Sequence, residues 1–373
     1  MAKPAGPPPV TPRVAGLPAT IPFVAPEAIG RARGRPLSLR LGANESAFGP
    51  SPRAVEAMRE ALAHVSWYAD PESHDLRRAL ARVHSVPMEC TVVGAGIDDL
   101  LGLVAHTFVD ETRRVVASLG SYPTFAYHVA GYGGAMGWAP YRRDGRNDLD
   151  ALVARAHEAG AALAYLANPD NPTGTWFSWE EVMGFRRALP SDCVLVLDEA
   201  YIEFAPPEAQ GPFDGDDPRV VRLRTFSKLH GLAGARIGYA VSHRGTIAAF
   251  DKIRTHFGTN RVAQAGALAA LDDPAFGRQV AAEVARGRDE YHRLARELGL
   301  STLPSAANFV ALDFESSAVA RAVLADLLEH DVFVRMPSVA PIDRCVRITV
   351  GTAPERESFA AVLREVAGRL RGR

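Results

Sequence analysis

Lysine is scarce in this chain of 373 residues, although basic residues in general are not. Of the 42 lysine and arginine residues only three are lysines, at positions 3, 228 and 252. The chain therefore uses arginine for general surface charge, and a lysine that is kept can serve amine chemistry that a guanidinium cannot perform. Lys3 lies in an N-terminal tail and Lys252 in a segment with the pattern of an amphipathic helix, whereas Lys228 directly follows a strand-like segment. Lys228 is thus the candidate for such chemistry.

Cysteines are also few, the net charge is close to zero, and long apolar runs do not occur. The three cysteines, Cys90, Cys193 and Cys345, are scattered and odd in number, so the sequence predicts neither a disulfide framework nor a metal site. A formal net charge of -1 gives no reason to expect nucleic acid or an anionic membrane as partner. No apolar run approaches the roughly 20 residues that a membrane span needs, and the N-terminus lacks the apolar core of a secretory signal. We therefore expect a cytoplasmic enzyme.

Changes in composition and in the apolar pattern along the chain predict four segments. Residues 1–22 carry seven prolines and are expected to form a flexible arm that packs near the C-terminal part. Residues 23–42 are expected to pack near the small domain as well. Residues 43–265 form the predicted large domain, and residues 266–373, with longer helices and fewer strands, form the predicted small α+β domain.

Within the large domain, short apolar segments alternate with helical patterns. This alternation predicts an α/β fold with a mostly parallel sheet covered on both faces. The predicted strands are residues 91–93, 114–118, 162–167, 193–197, 220–224 and 237–241.

Distinctive polar residues follow several of these strands, where ligands bind in open α/β sheets. A Gly94-Ala-Gly96 turn leads into a helix, Asn171 lies in a proline-flanked turn, and Asp198 ends an apolar strand. Taken singly, each has a structural explanation: a tight turn, an Asx turn and a buried ion pair.

Together these residues meet the needs of pyridoxal 5′-phosphate (PLP), which requires an amine for covalent attachment, an acid, hydrogen-bond donors and an anion cradle. Lys228 would attach the cofactor and later move the substrate proton, and Asp198 would keep the ring nitrogen protonated. Asn171 and Tyr201 would donate to the phenolate oxygen. The predicted phosphate ligands are Gly96, Ile97, Asp98, Ser227 and Arg236.

Five motifs, in the same order along the chain, resemble histidinol-phosphate aminotransferases, which are fold-type I, class I/II PLP enzymes. The resemblance runs from about residue 22 to the C-terminus and includes L-G-A-N-E at 41–45 and G-P-S-P at 49–52. The five motifs are N-P-D-N-P-T-G at 168–174, D-E-A-Y at 198–201, T-F-S-K at 225–228, G-L-A-G-A-R at 231–236 and R-I-T-V-G-T at 347–352.

The resemblance implies further roles. Arg347 would grip a substrate carboxylate, Arg335 a substrate phosphate, and Phe125 would stack on the cofactor ring. Tyr68 would reach the cofactor phosphate of a neighbouring subunit, which implies a homodimer with shared active sites. Thr225 would join the cofactor ligands. The remaining predicted substrate ligands are Asn44, Phe23 and Arg261.

Three departures from the family pattern lie on the substrate side. Phe23 stands where the family has a tyrosine, Gly258 where it often has an amide, and Ile97 where a serine is common. They predict an amino donor other than histidinol phosphate, an amino acid with an aromatic or large side chain, with a 2-oxo acid such as 2-oxoglutarate as acceptor in a ping-pong cycle. Histidinol phosphate as donor and α-decarboxylation of a phosphorylated amino acid remain the alternatives. A non-catalytic PLP-binding protein is disfavoured because Lys228, Asp198 and Arg347 are all in place.

The scarcity of lysine makes the attachment site directly testable. Lys228→Ala should abolish covalent attachment of PLP and turnover, because no other lysine occupies the motif. Lys252→Ala and Lys3→Ala are the matched controls and should keep both. Borohydride reduction followed by peptide mapping measures the attachment, and label on Lys252 would contradict the assignment.

Overall fold

The computed structural model describes residues 8–17, 24–213 and 215–371, so Lys3 and the predicted substrate ligand Phe23 lie outside the described residues. Across those described ranges, no helix is long and apolar enough to cross a membrane. The same ranges hold no group of histidine, cysteine and acidic side chains that could bind a metal ion.

The predicted mostly parallel sheet is confirmed. Seven strands pair in the order β2-β8-β7-β6-β5-β3-β4, and β8 alone among them runs antiparallel to its neighbours. Four of these strands, β2, β6, β7 and β8, are buried along their whole length, as is typical of a sheet covered on both faces. The strands are β2 Thr91–Gly94, β3 Arg114–Ser118, β4 Ala135–Ala139, β5 Ala161–Ala167, β6 Val194–Asp198, β7 Val220–Thr225 and β8 Gly238–Ser242.

Helices cover both faces of this sheet, and several begin at side chains that cap the free amide groups of the first turn. Ser51 accepts from the amide of Ala54 at 3.1 Å, and Ser178 forms a reciprocal capping box with Glu181. The helices up to residue 271 are α1 Pro12–Ala15, α2 Pro26–Arg33, α3 Pro52–Leu62, α4 His74–His84, α5 Ile97–Phe108, α6 Pro123–Gly131, α7 Leu149–Ala159, α8 Trp179–Ala188, α9 Arg244–Asp251 and α10 Arg261–Leu271.

The C-terminal part builds a second, smaller sheet with its own apolar core. Strand β10 pairs antiparallel with β12 and β9, and Phe309 and Ile348 are fully buried between this sheet and its helices. The elements are α11 Pro274–Glu297, β9 Ser301–Thr302, β10 Phe309–Asp313, α12 Ser317–Glu329, β11 Val332–Phe333, β12 Cys345–Thr349 and α13 Ala353–Arg371.

Residues 24–42 are fastened to this C-terminal part. Strand β1 (Leu39–Arg40) pairs in parallel with β11, and both Arg33 and Arg35 bond to the carboxylate of Asp331. After β1 the polypeptide therefore passes, over residues 41–50, from the C-terminal part to helix α3 of the part that carries the large sheet.

The described part of the proline-rich arm lies elsewhere than the sequence predicted. Helix α1 carries Arg13, which forms an ion pair with Glu111. Its side chain also packs against Gly133, where a β-carbon would lie only 3.0 Å from Nε of Arg13. Both residues belong to the part that carries the large sheet, so the expected packing of the arm near the C-terminal part was wrong for residues 8–17. The physical reason is the acidic Glu111, which offers this arginine a partner.

One close approach fixes the loop after Lys228. Gly231 has φ +67°, and a β-carbon there would lie 2.2 Å from the carbonyl oxygen of Gly49. Only glycine fits at this point, because both the backbone conformation and the space exclude a side chain. The turn at residues 49–50, just before α3, therefore packs directly against the loop that follows Lys228.

Candidate functional site

A cavity of about 680 Å³ opens beyond the carboxyl ends of β5, β6 and β7, at Ala167, Asp198 and Thr225. Its other wall comes from the N-terminal segment, from residues 335–338 after β11, and from Arg347 of β12. The predicted site residues that line it are Asn44, Ile97, Asp98, Asn171, Asp198, Tyr201, Thr225, Ser227, Lys228, Arg236, Arg335 and Arg347. The polar residues that follow separate strands in sequence therefore meet in one place.

Lys228 presents its amine to this cavity. Its Nζ donates to the carbonyl oxygen of Asn44 at 2.9 Å and lies 5.6 Å from the centre of the Tyr201 ring. Burial, reinforced by the positive charge of Arg347, lowers the pKa of the Lys228 amine to about 8. A substantial neutral fraction near neutral pH makes this amine a nucleophile and a base.

Asp198 closes the floor of the cavity at the last position of β6. It is 4% exposed, and its carboxylate accepts from the Tyr165 hydroxyl at 2.8 Å and from the Ala200 amide at 3.0 Å. Burial raises the pKa of the Asp198 carboxyl to about 6 despite these donors. A carboxylate so placed gains from a cationic N–H group entering the cavity.

The turn before α5 forms an anion cradle. Gly96 has φ +93°, and a β-carbon there would lie 2.5 Å from Nη2 of Arg236, so the backbone and this guanidinium are in close contact. Arg236 also faces the Asp98 carboxylate at 3.8 Å. Amide groups at the start of α5, the guanidinium and the Ser227 hydroxyl together suit a phosphate dianion.

Arg347 and Asn171 meet at the opposite wall. Arg347 donates to Oδ1 of Asn171 at 2.5 Å and to the carbonyl oxygen of Gly42 at 2.9 Å. Its buried Nε has no partner among the described residues. Burial lowers the pKa of the Arg347 guanidinium to about 10. This partly unsatisfied cation is suited to an anionic ligand.

Arg335 stands beside Arg347 because their backbones form an antiparallel bridge, with Arg347 N donating to Arg335 O at 2.6 Å. Its guanidinium donates to the carbonyl oxygen of Val24 at 2.8 Å. Two guanidinium groups therefore lie on one wall, across the cavity from the floor at Asp198.

Asn44, predicted as a substrate ligand, holds other residues of the site in place. It is buried in the left-handed backbone region at φ 54°, and its side chain donates to the Tyr201 hydroxyl at 2.9 Å. Its carbonyl oxygen holds Lys228. Asn44 thus orients two neighbours that face the cavity.

The predicted stacking of Phe125 on the cofactor ring stays a prediction. The Phe125 ring is 1% exposed and packs on Tyr165, 5.1 Å between ring centres, and the Tyr165 hydroxyl donates to Asp198. Sequence reasoning missed Tyr122, which lines the cavity and whose hydroxyl donates to Asp98 at 2.8 Å. Tyr122 precedes α6, while Phe125 lies within its first turn. The Tyr-Pro pair at the start of the helix was the signal that could have identified Tyr122.

Tyr68 and Arg261 lie away from the cavity of their own chain. Tyr68 is 78% exposed, its ring packs on Phe257, and its carbonyl oxygen accepts from the Arg261 guanidinium. Neither residue is among those that line the cavity. Their predicted contacts with cofactor or substrate therefore require a second chain.

Sequence reasoning missed a buried charge cluster behind the floor. Glu199 follows Asp198 and accepts from Arg222 at 2.7 Å and from Arg224 at 3.0 Å. Both arginines belong to β7, which leads into Lys228. The cluster thus joins the ends of the two strands that carry Asp198 and Lys228, and the cost of its buried charges is offset by pairing.

PLP fits the residues that are present. Lys228 can attach it, Asp198 can pair with its ring nitrogen, Tyr201 and Asn171 lie beside the lysine, and the Gly96–Arg236 cradle can hold its phosphate. When bound, PLP supplies an electron sink for the bond that breaks at the substrate carbon. The buried carboxyl can pair as a carboxylate with a protonated ring nitrogen, and the amine of lowered pKa can act as nucleophile and base.

The raised pKa of Asp198 predicts how stability depends on pH in the cofactor-free protein. With a pKa of about 6 when folded and about 3.9 when unfolded, the carboxyl binds its proton more tightly in the folded state. The stability that this proton contributes is present below the unfolded pKa and is lost as pH rises through the folded pKa. The amide of Asp198→Asn does not titrate, so the variant does not lose this stability as pH rises. Its free energy of unfolding relative to wild type should rise by about 2 kcal/mol between pH 4.5 and 7.

Urea denaturation at several pH values measures this difference. Asp192→Asn, at an exposed aspartate just before the same strand, is the matched control and should show no such trend. A difference for Asp198→Asn that does not change with pH would mean that the carboxylate is already paired without cofactor.

Comparisons with known proteins agree with this site. Residues 38–363 match the family model described as aminotransferase class I and II. A histidinol-phosphate aminotransferase of Anaeromyxobacter sp. is 38% identical over 96% of this chain and 99% of its own length. One of Bacillus velezensis is 32% identical over 88% of this chain and 91% of its own.

Among solved structures, the histidinol-phosphate aminotransferase from Sinorhizobium meliloti in complex with pyridoxal-5′-phosphate superposes with a TM-score of 0.94 at 47% identity. That match covers 98% of this chain and 99% of the other. With the family model, the relatives and the geometry in agreement, the chain belongs to the class I and II aminotransferases and is a PLP-dependent aminotransferase.

Proposed function

We propose that this enzyme transfers the amino group of histidinol phosphate to a 2-oxo acid such as 2-oxoglutarate. The observation that carries the proposal is the pair of guanidinium groups, Arg335 and Arg347, placed in the same cavity as the amine of Lys228. A donor with a compact anion near its reacting carbon fits this arrangement. The relatives named above, histidinol-phosphate aminotransferases over nearly their whole length, support the same donor.

Each site residue has a definite task in this proposal. Lys228 attaches the cofactor and, once released, moves a proton at the reacting carbon of the donor. Asp198 holds a proton on the ring nitrogen, and Tyr201 donates to the phenolate oxygen. Phe125, which packs on Tyr165, is the aromatic residue proposed to stack on the ring, and Tyr122 donates to Asp98 at the cavity wall.

The two arginines serve both halves of a ping-pong cycle. In the first half they bind the phosphate of the donor, and in the second the carboxylates of the 2-oxo acid. Arg347, with its planar fork and buried Nε, suits a carboxylate or phosphate held through two oxygens. A single wall of the cavity thus accepts two substrates in turn.

Two of the three departures that predicted a different donor lose their weight at the site. Gly258 lies in an exposed turn and does not line the cavity of its own chain. Ile97 does line the cavity, but its backbone amide at the start of α5 can serve a phosphate whatever its side chain is. The expectation drawn from Phe23, which lies outside the described residues, stays a prediction.

A homodimer with shared sites is part of the proposal. The segment that holds Tyr68 exposes several large apolar side chains, and Phe257 packs beside it. Exposed apolar surface of this kind is typical of an interface. With a second copy against it, Tyr68 would reach the neighbouring cofactor phosphate, which its own chain does not allow.

The half-reaction with different donors tests the proposal. The cofactor-loaded enzyme is mixed with one donor at a time, each at the same concentration, and the change in cofactor absorbance gives the rate. The donors are histidinol phosphate, phenylalanine, tyrosine, histidine and glutamate. Histidinol phosphate should react at least about tenfold faster than the others, because a charged hydrogen bond to phosphate contributes about 1.5–3 kcal/mol.

An amino acid reacting faster than histidinol phosphate would refute the proposed donor. Release of CO₂ from a phosphorylated amino acid would instead identify a decarboxylase. Histidinol phosphate itself has no carboxylate to lose, so the two outcomes are distinct.

A further inference from the structure

Two parts of the cavity lining differ in charge. Arg335 and Arg347 form the cationic pair described above, and they bond to the N-terminal segment at Val24 and Gly42. On that same segment, Glu27, Arg40 and Glu45 also line the cavity and form what we call the carboxylate wall. A ligand held at the arginines therefore meets carboxylates close by.

The two carboxylates are not equally well paired. Arg40 lies 2.8 Å from the carboxylate of Glu27 and 3.4 Å from that of Glu45. The positive charge of Arg31 also acts on Glu27. Among the described residues, Arg40 alone donates to the Glu45 carboxylate, and by the longer of the two contacts. Glu45 is thus the more weakly paired carboxylate, and the side chains of Glu27, Arg40 and Glu45 all remain half-exposed to an entering ligand.

The position of Glu45 is fixed beside the reacting lysine. Its carbonyl oxygen accepts from the buried Asn308 side chain at 3.3 Å, and the preceding residue, Asn44, accepts from Lys228. The negative charge of Glu45 also opposes the burial that lowers the pKa of the Lys228 amine. The carboxylate therefore acts at short range on the point where the donor reacts.

The chemistry of histidinol phosphate matches these two parts of the lining. Its phosphate and its imidazole ring branch from the same reacting carbon, each through a methylene group. With that carbon at Lys228 and the phosphate at the arginines, the carboxylate wall is the charged part of the neighbouring lining that remains for the imidazole. A carboxylate accepts a hydrogen bond from the N–H of neutral imidazole and pairs with imidazolium still more strongly.

From this placement we propose that Glu45, with Glu27 beside it, selects the donor's imidazole ring by accepting a hydrogen bond from its N–H group. The inference rests on the proposed function, because it names the residues that recognise the side chain of that donor. A phenyl ring in the same place would displace water from the carboxylates and return no hydrogen bond. The carboxylate wall thus both favours imidazole and disfavours hydrocarbon rings.

Two donors that differ in the ring alone test this proposal. Histidinol phosphate and 2-amino-3-phenylpropyl phosphate share the phosphate and the reacting carbon. Glu45→Ala should lower kcat/KM for histidinol phosphate at least about tenfold more than for the phenyl compound, chiefly through KM. Glu45→Gln, which keeps an acceptor without the charge, should fall between. Any effect of the lost charge on Lys228 is common to both donors and cancels in the ratio.

Equilibrium binding of the two phosphates, followed by calorimetry, should show the same change in preference without turnover. Glu297→Gln, at an exposed glutamate paired with Arg364, is the matched control and should leave the ratio unchanged. Equal losses for both donors, or an unchanged ratio in Glu45→Ala, would overturn the role of Glu45.

Failure of the proposed function gives a different result. A wild-type enzyme that reacts with neither phosphate would refute histidinol phosphate as donor. The same comparison is then made with histidine and phenylalanine, which differ in the same ring. Loss of a preference for histidine in Glu45→Ala would support Glu45 as an imidazole ligand, and no change would overturn it.

Discussion

The burial of one carboxyl group, that of Asp198, is the constraint on which the rest of the site depends. An apolar strand can end in a buried aspartate only if that residue is paired or neutral, because an unpaired buried charge is too costly. The Tyr165 hydroxyl and the Ala200 amide both donate to it, yet the pKa of the Asp198 carboxyl remains raised to about 6. The fold therefore keeps a site that is poorly satisfied until a cationic ring nitrogen binds, and much of the surrounding structure holds that site in place.

Two sets of charges support this arrangement from opposite sides of the sheet. Behind the floor, Glu199 and the arginines of β7 join the ends of the strands that carry Asp198 and Lys228. Across the cavity, Arg335 and Arg347 come from the C-terminal part, linked through a backbone bridge. The predicted cofactor residues thus belong to the part that carries the large sheet, while the arginine pair of the proposed anion site belongs to the C-terminal part. Relative movement of the two parts would change the distance between lysine and substrate anion.

The sequence predicted the sheet and the residues at its strand ends well, because apolar runs and their polar endings are local signals. It failed where a position depends on packing. Tyr122 was missed because only the position at which α6 begins shows that its side chain lines the cavity. The arm was misplaced because its ion pair with Glu111 spans almost 100 residues of sequence. Glu45 was visible inside a recognised motif, but its importance follows from Arg40 and Glu27, which sequence spacing does not bring together.

The account is tested most directly by the turnover of Asp198→Asn in the cofactor-loaded enzyme. An amide cannot hold the proton on the ring nitrogen, so the variant should still bind PLP while losing several orders of magnitude in rate. Retained binding with that loss, measured by cofactor absorbance and by single-turnover kinetics, is the result that the structure predicts. A variant with near-wild-type rate would show that the buried carboxyl is merely structural, and would contradict the central claim.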